Sequence, residues 1–276
     1  MEQAEFFSIL ENLKASEENS THFSEAWSQG RSAFGGLAAA FAVTAMRKLI
    51  SEEIPMRSLM VSFIAPLPPG KIEATASIQR QGRNVTQMVG EVFSKGRLCL
   101  QAMGIFGIDR PGLRVEAEPI VLPPRENGIS FEDYRKRLPS FLSFFEGMWT
   151  TDGLPYSGKA ARCLSFWVRH KNPLYKFPTE KLVALADIPP PVILSHFQKP
   201  VVPSSSLTWN LDFVMAPDSA DGDWFYLEFV VDSANNGYTQ QSGKIYTEHG
   251  QLCALTRQCM VYFDTPRSLP SSEKPT

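Results

Sequence analysis

The segment Thr86-Gln-Met-Val-Gly-Glu-Val-Phe-Ser94 returns about 150 residues later as Thr239-Gln-Gln-Ser-Gly-Lys-Ile-Tyr-Thr247. The correspondence extends to the flanking sequence in the same order, with two further matched pairs: Phe63-Ile-Ala-Pro66 with Phe213-Val-Met-Ala-Pro217, and Gly96-Arg-Leu-Cys99 with Gly250-Gln-Leu-Cys253. Two copies are too few for a solenoid, which needs at least three repeats to build a continuous core. The repeat therefore predicts two similar units fused in one chain and related by a pseudo-two-fold axis.

The elements around the first copy predict a unit that mixes helix and sheet. Leu37 to Ile50 (LAAAFAVTAMRKLI) is apolar and alanine-rich around its whole circumference, which indicates a helix buried on most sides. Long β-type segments follow it. Ile72 to Gln79 alternates apolar and polar residues, and a tight turn at Ser94-Lys-Gly96 joins the next two strands. One helix followed by several antiparallel strands is typical of the α+β class.

A change of character divides the chain into five predicted regions. From Gly107 to about Ser130, prolines interrupt the sequence and its periodicity is lost, which indicates a linker. The regions are an N-terminal helix and loop (1–20), a first repeat (21–107), the linker (108–130), a second repeat (131–264) and a disordered tail (265–276). In the second repeat we expect a helix from Thr179 to Ala186, with Thr179 as its N-cap.

The charge balance of the chain excludes several classes of partner. It has 27 Lys and Arg against 29 Asp and Glu, a formal charge of −2, and lacks the basic stripe that a nucleic-acid-binding protein needs. Neither a polybasic segment nor an apolar run of ~18 residues indicates membrane attachment. The acidic start of the sequence lacks the basic and apolar regions of a secretory signal, so we expect a cytoplasmic protein.

The cysteines and histidines do not indicate a metal or a cofactor. None of the four cysteines forms a Cys-x-x-Cys pair, and the four histidines are scattered without the spacing of metal ligands. A Gly-x-Ser-x-Gly nucleophile elbow is absent, which disfavours a Ser–His–Asp hydrolase. We therefore expect no metal and no bound cofactor.

Several short motifs carry a family resemblance when they are taken together and in order. They are Trp27-x-x-Gly30, Phe34-Gly-Gly36, Arg57-Ser-Leu59, Phe63-Ile-Ala-Pro66, Pro69-Gly70, Gly82-Arg83, Gly96-Arg-Leu98 and Thr256-Arg-Gln258. Through them the chain, from about residue 20 to about residue 264, resembles the acyl-CoA thioesterase II group. The resemblance implies an α+β double hotdog, in which each of two tandem repeats wraps a long antiparallel sheet around a central helix. It also implies hydrolysis of an acyl-CoA by activated water, with coenzyme A present only as part of the substrate.

The same resemblance implies catalytic roles for residues of the second repeat. Gln258 matches the glutamine that helps to position the hydrolytic water in this family. The family's aspartate position falls at Thr208, and its Ser/Thr position falls near Asp232 and Ser233. Ser233 is a conservative substitute, and Asp232 would restore the missing carboxylate. The prediction is a site in which these four residues face one cavity; a solvated strand and a turn-rich loop are the structural alternatives.

Two further places in the sequence are candidates for substrate binding. Gly35 and Gly36 open the first helix, where exposed N–H groups and the positive end of the helix dipole would polarise a thioester carbonyl. Alternatively, the two glycines permit close packing of helix and strand. Arg83 would pair with a phosphate of coenzyme A, or it lies solvated at the end of a strand.

Two other functions stay open on the sequence. A double hotdog that binds acyl-CoA without turning it over fits the replacement at Thr208. A hotdog hydratase or dehydratase would need an Asp–His or Glu–His pair, and the pattern Asp-x-Asn-Pro-x-His is absent. The expected partner is a small acyl-CoA molecule, and not a nucleic acid or a membrane. A monomer is compatible with the fused repeat, whereas exposed sheet edges favour a homo-oligomer.

Overall fold

The computed structural model describes residues 5–118, 120–172, 174–198 and 202–264, without the side chains of Lys136 and Arg137. The tail predicted to be disordered, 265–276, lies outside these residues. The helices are α1 (Phe6–Ala15), α2 (Gly35–Arg47) and α3 (Pro178–Ala186). The strands are β1 (Ser20–Phe23), β2 (Ser28–Gln29), β3 (Ser32–Ala33), β4 (Met56–Phe63), β5 (Gly70–Gln81), β6 (Val85–Ser94), β7 (Arg97–Gly107), β8 (Ile129–Ser130), β9 (Phe145–Trp149), β10 (Cys163–His170), β11 (Ser204–Phe213), β12 (Phe225–Asn235), β13 (Tyr238–Thr247) and β14 (Leu252–Tyr262).

One 12-stranded antiparallel sheet contains every described strand except the short β2–β3 pair. Its order is β1-β5-β6-β7-β4-β11-β14-β13-β12-β10-β9-β8. Read outward from the central β4–β11 pair, β7, β6 and β5 on one side correspond to β14, β13 and β12 on the other. The two halves join where Leu59 lies opposite Leu211 and Met60 opposite Asn210. This symmetric order confirms the two similar units predicted from the repeat and the double hotdog implied by the family resemblance, and the two units share one continuous sheet.

Helix α2 lies in the core against the sheet of the first half. Every residue from Gly36 to Met46 is buried, which confirms the predicted buried helix, although the helix ends at Arg47 and not at Ile50. The sheet approaches so closely that a Cβ on Gly90 would lie 3.0 Å from the Ala42 carbonyl oxygen. Small residues on both sides therefore allow the sheet to wrap around the helix, as the alanine-rich sequence predicts.

Helix α3 has the predicted extent but not the predicted cap. It begins at Pro178, whose fixed φ suits the first helical position, and its N-cap is Phe177. The Thr179 hydroxyl instead accepts a hydrogen bond of 2.9 Å from the Arg47 guanidinium. The prediction of Thr179 as the N-cap is wrong because this side chain lies inside the helix and is engaged by the C-terminal end of α2.

The predicted linker packs onto the outer face of the second half. The Trp167 indole N–H donates to the Pro123 carbonyl at 3.0 Å, and the Arg125 guanidinium lies 4.5 Å from the centre of the Trp224 ring. Trp167 is on the strand face opposite Phe166 and Val168, which lie in the main core. The linker therefore shields aromatic residues that the sheet would otherwise expose.

Candidate active site

The buried centre of the second half contains a carboxylate held by a glutamine. The Gln258 side-chain amide on β14 donates from Nε2 to Asp187 Oδ1 at 2.8 Å. Asp187 directly follows α3, and the backbone N–H of Gly36 in α2 also donates to its carboxylate. The group therefore lies where the end of α3 meets the start of α2, beneath the central strands.

Burial dominates the electrostatics of Asp187. It raises the pKa of this carboxyl from 3.8 to about 7, and the hydrogen bonds from Gly36 and Gln258 oppose the shift. Gly35, Phe63 and Asp187 each keep partial solvent exposure as whole residues, whereas protein atoms enclose the Asp187 carboxylate itself. A carboxylate with a pKa near neutrality suits general base catalysis, because it can take a proton from water and later return it.

Glycine at position 35 is what lets the carboxylate approach the helix. A Cβ at Gly35 would lie 2.5 Å from Asp187 Oδ2 and 3.1 Å from the Phe63 ring. The first turn of a helix presents unpaired N–H groups and the positive end of the dipole, which favour a carboxylate. The close-packing alternative therefore holds for Gly35, since it brings the Asp187 carboxylate to the helix terminus, and polarisation of a thioester carbonyl by that terminus stays a prediction.

We expect Gly35→Ala to lower kcat for any reaction that uses Asp187 by about 10-fold or more, because the new methyl group displaces the carboxylate from its hydrogen bonds. Steady-state kinetics would measure the loss. Gly112→Ala is the matched control, since a Cβ there meets nothing within 4 Å and its kinetics should match the wild type. Equal activity of both variants would contradict this role of Gly35.

A second glutamine completes the hydrogen-bonded group. Gln241 on β13 donates from Nε2 to Gln258 Oε1 at 2.9 Å, and its own Oε1 accepts from the Val192 backbone N–H at 2.9 Å. Gln241 and Gln258 are 0% and 2% exposed. Two buried amides with both ends hydrogen-bonded form a fully connected polar group, which is the arrangement that a low-dielectric core tolerates.

The structure separates Thr208 from Gln258. On β11, Trp209 lies directly opposite Gln258 and faces the core, whereas Thr208 is exposed on the other face of the sheet. A depression of about 590 Å³ touches both Thr208 and Gln258. The Gln258 side chain, however, is buried and bonded to Asp187 and Gln241 on the inner side. The prediction that these residues face one cavity is therefore wrong, because adjacent strand positions point to opposite faces.

Asp232 and Ser233 are also on the outer side. The Asp232 carboxylate accepts a 2.6 Å hydrogen bond from the Ser242 hydroxyl and lies 3.9 Å from Arg257. Ser233 is exposed at a bulge near the end of β12, and its carbonyl oxygen accepts from Thr239. The structure does not bring either residue to Gln258, because the sheet lies between them. The predicted four-residue site therefore keeps only Gln258.

Of the three candidates for substrate binding, two lie near Gln258 and one does not. Gly35 and Gly36 lie at the start of α2 beside Asp187, so two residues of the sequence prediction meet the group around Gln258. Arg83 is exposed in the hairpin between β5 and β6. Its pairing with a phosphate stays a prediction.

Sequence reasoning missed Asp187, although one signal for it exists. It directly follows the buried helix Thr179–Ala186, at the end where the helix dipole is negative and disfavours an anion. An acidic residue in that position needs a distant partner to be stable. Here the partner is the positive end of α2, far away in sequence, together with Gln258.

We expect the unusual pKa of Asp187 to make stability fall as the pH rises. Between its ordinary 3.8 and about 7, the folded protein keeps a proton that the unfolded chain has released. The contribution is therefore full below pH ~4 and is lost as the pH passes ~7, with an upper limit of ~4 kcal/mol. Urea unfolding of wild type and Asp187→Asn from pH 4 to 8 would measure this contribution. We expect the free energy of unfolding of the wild type to fall relative to that of the variant as the pH rises. Burial lowers the pKa of His170 to about 3, which gives an opposite slope that both proteins share.

The described residues contain neither a metal-binding cluster nor a membrane-spanning helix. Within the described ranges, no group of three or more His, Cys, Asp or Glu side chains is arranged to hold a metal ion. Across the same part of the chain, no helix is long and apolar enough to span a bilayer.

The fold defines a class, namely hotdog proteins in which two repeats share one sheet. Two solved structures illustrate the similarity. A conserved protein of unknown function with a hot dog fold from Alicyclobacillus acidocaldarius has a TM-score of 0.81 at 19% identity, and the match covers 93% of this chain and 98% of that one. An acyl-CoA thioesterase II from Mycobacterium marinum has a TM-score of 0.71 at 16% identity, covering 92% and 97%. At these identities the likeness establishes the fold.

Family profiles extend the comparison to sequence. The acyl-CoA thioesterase N-terminal domain matches residues 23–107, and the acyl-CoA thioesterase C-terminal domain matches residues 117–262. The chain therefore belongs to the acyl-CoA thioesterase family, as its motifs predicted. No curated protein sequence matches the chain significantly.

Proposed function

We propose that this protein hydrolyses an acyl-CoA thioester to a free carboxylic acid and coenzyme A, with Asp187 as general base. The observation that carries the proposal is the Asp187 carboxylate itself. It is held at 2.8 Å by Gln258, lies against the N-terminus of α2 and has a pKa of about 7. Family membership supports the thioester substrate, and the geometry supports water as the nucleophile.

The proposed reaction has two steps, which are addition of water to the thioester and collapse of the tetrahedral intermediate. Asp187 accepts a proton from water as the water oxygen bonds to the thioester carbonyl carbon, which leaves an oxyanion on the tetrahedral intermediate. The intermediate then collapses, the C–S bond breaks, and the leaving thiolate takes the proton back from Asp187. The products are the acid and the thiol of coenzyme A, and Asp187 returns to its starting state.

Gln258 and α2 have separate tasks in this proposal. Gln258 holds the carboxylate in place, and its second amide hydrogen is directed toward the attacking water. The first turn of α2 supplies the positive dipole end, which stabilises the oxyanion as charge develops on the carbonyl oxygen. Gly35 keeps the approach to that turn open, since any side chain there would occupy the space beside Asp187.

Two observations argue against the alternative functions, which are acyl-CoA binding without turnover and hydration of an acyl thioester. The non-catalytic reading depended on the missing carboxylate at Thr208, and Asp187 supplies a carboxylate on the inner side instead. A hydratase needs a histidine beside its acid, and in the described part of the chain no histidine hydrogen-bonds Asp187. His170 packs on the Phe145 ring at 4.6 Å and lies 3.3 Å from the Lys181 carbonyl.

The test is thioester turnover. Purified protein is incubated with acyl-CoA substrates of increasing chain length, and free thiol and free acid are both quantified. We expect equal amounts of the two products, and we expect the rate to rise with pH to a plateau above about 7. Absence of thiol release with every chain length, from folded protein, would overturn the proposal. Hydration of an α,β-unsaturated acyl-CoA, included as a parallel substrate, without thiol release would instead favour a hydratase.

A further inference from the structure

The buried amide of Gln241 has an orientation that the main chain fixes. Its partner at one end is the backbone N–H of Val192, at 2.9 Å, and a backbone N–H can only donate. The Gln241 atom at that end must therefore be the carbonyl oxygen. It follows that the other end is the NH2 group, which is a donor, and it faces Gln258 at 2.9 Å.

The same constraint passes to Gln258 and from there to Asp187. Because Gln241 presents a donor, Gln258 must present its carbonyl oxygen to it, and its NH2 group then faces Asp187 Oδ1 at 2.8 Å. The direction of each hydrogen bond is thus set by the Val192 N–H. An isolated glutamine can turn its amide by 180° at little cost, but this one cannot do so without placing two donors against each other.

The origin of the constraint is a short, stiff segment of chain. Val192 follows Pro189, Pro190 and Pro191, whose rings fix φ, and this run begins just after Asp187. The three prolines have no N–H group, so Val192 carries the first N–H after them. This N–H donates to Gln241 on the sheet. The hydrogen bonds therefore close a ring through Asp187, Gln258, Gln241 and Val192.

In the first repeat, the positions that correspond to Gln241 and Gln258 carry no hydrogen-bonding side chain. The repeat aligns Gln241 with Met88 and Gln258 with Gly104. There the Met46 side chain fills the space, since a Cβ at Gly104 would lie 2.5 Å from the Met46 sulfur. The sheet geometry by itself accepts apolar residues at both places. The glutamine pair is therefore not required for packing of a hotdog unit.

We infer that Gln241 is a positioning residue for the proposed hydrolysis, fixing the Gln258 amide so that its NH2 group faces Asp187 and keeps that carboxyl in its basic form. The inference rests on the proposed function for its catalytic part. Its structural part, the orientation of the Gln258 amide, does not. In the described residues no charged side chain contributes to the pKa of Asp187, and the nearby Glu180 and Lys181 interact with Arg47 and Asp223 instead.

Gln241→Met tests the inference with the residue that the first repeat uses. The variant keeps the side-chain length but removes both hydrogen bonds, so the Gln258 amide is free to turn. We expect kcat to fall about 10-fold with KM changed less than about 3-fold, and we expect the pH midpoint of kcat to move upward. Gln240→Met is the matched control, because Gln240 is the neighbouring residue on the opposite strand face and should behave as the wild type.

Gln241→Glu separates the orientation of Gln258 from simple anchoring of the loop. A carboxyl there still accepts from Val192, but it donates to Gln258 only while it is protonated. We expect this variant to gain a descending limb in its pH–rate profile, which the wild type lacks. A role confined to holding the loop would leave kcat and the profile at wild-type values, and that result would overturn the inference.

A substrate-free measurement keeps the two proposals distinguishable. Urea unfolding across pH 4 to 8 is compared for each Gln241 variant with and without Asp187→Asn, which isolates the titration of Asp187. Loss of the Gln258 donor should move that titration to higher pH in Gln241→Met. An unmoved titration in both Gln241 variants would overturn the inference even in an active enzyme. A moved titration in a protein that hydrolyses no thioester would retain the orientation role and refute the proposed function.

Discussion

Replacing Asp187 with asparagine should lower kcat for acyl-CoA hydrolysis by about 10³-fold, because the attacking water loses its proton acceptor. Asparagine has nearly the same shape and can still accept the Gly36 N–H, so KM should change little. Its NH2 group then faces the NH2 group of Gln258, so we also expect a loss of about 1–3 kcal/mol in the free energy of unfolding. Initial rates with a thiol reagent at pH 8, where the wild-type carboxylate is ionised, would measure the loss. The residual rate should no longer depend on pH around 7.

Asp232→Asn is the control for that variant. Asp232 is an aspartate of the same sheet, but it is on the outer face and bonded to the Ser242 hydroxyl. We expect its kcat to stay within about 2-fold of wild type, since it lies on the far side of the sheet from the reacting atoms. A large loss in Asp232→Asn with little loss in Asp187→Asn would place the site on the outer face and restore the arrangement predicted from the sequence.

Gln258→Ala should lower kcat by roughly 10²-fold or more, because the carboxylate and the attacking water both lose an oriented donor. The structure adds a second effect that the sequence does not predict. Gln258 is buried, and removing its amide leaves the NH2 group of Gln241 without an acceptor. We therefore expect a loss of about 1–3 kcal/mol in the free energy of unfolding. Kinetics combined with urea unfolding separate the two effects.

The matched control is Gln251→Ala, which removes an exposed glutamine in the turn before β14 and should change neither quantity. Full activity in a folded Gln258→Ala protein would show that the family role does not apply to this chain.

The sequence by itself determined the architecture, because the architecture depends on local patterns. The repeat of Thr86–Ser94 at Thr239–Thr247 predicted two similar units, and the alanine-rich run after Gly36 predicted a helix buried on most sides. The helix follows from the pattern of neighbouring residues, which backbone geometry converts into a buried surface, and the two units follow from direct comparison of the two segments.

The sequence also identified part of the site, namely Gln258 and the glycine pair that begins α2. Only the tertiary structure showed that these residues surround the Asp187 carboxylate. Gln258 and Asp187 are 71 positions apart, and they meet because the end of α3 packs against the start of α2. Likewise, the register that sets Trp209 opposite Gln258 decides that the amide faces inward and Thr208 outward. Contacts of this kind depend on how distant elements pack, and burial then raises the pKa of Asp187; no local pattern in the chain encodes either one.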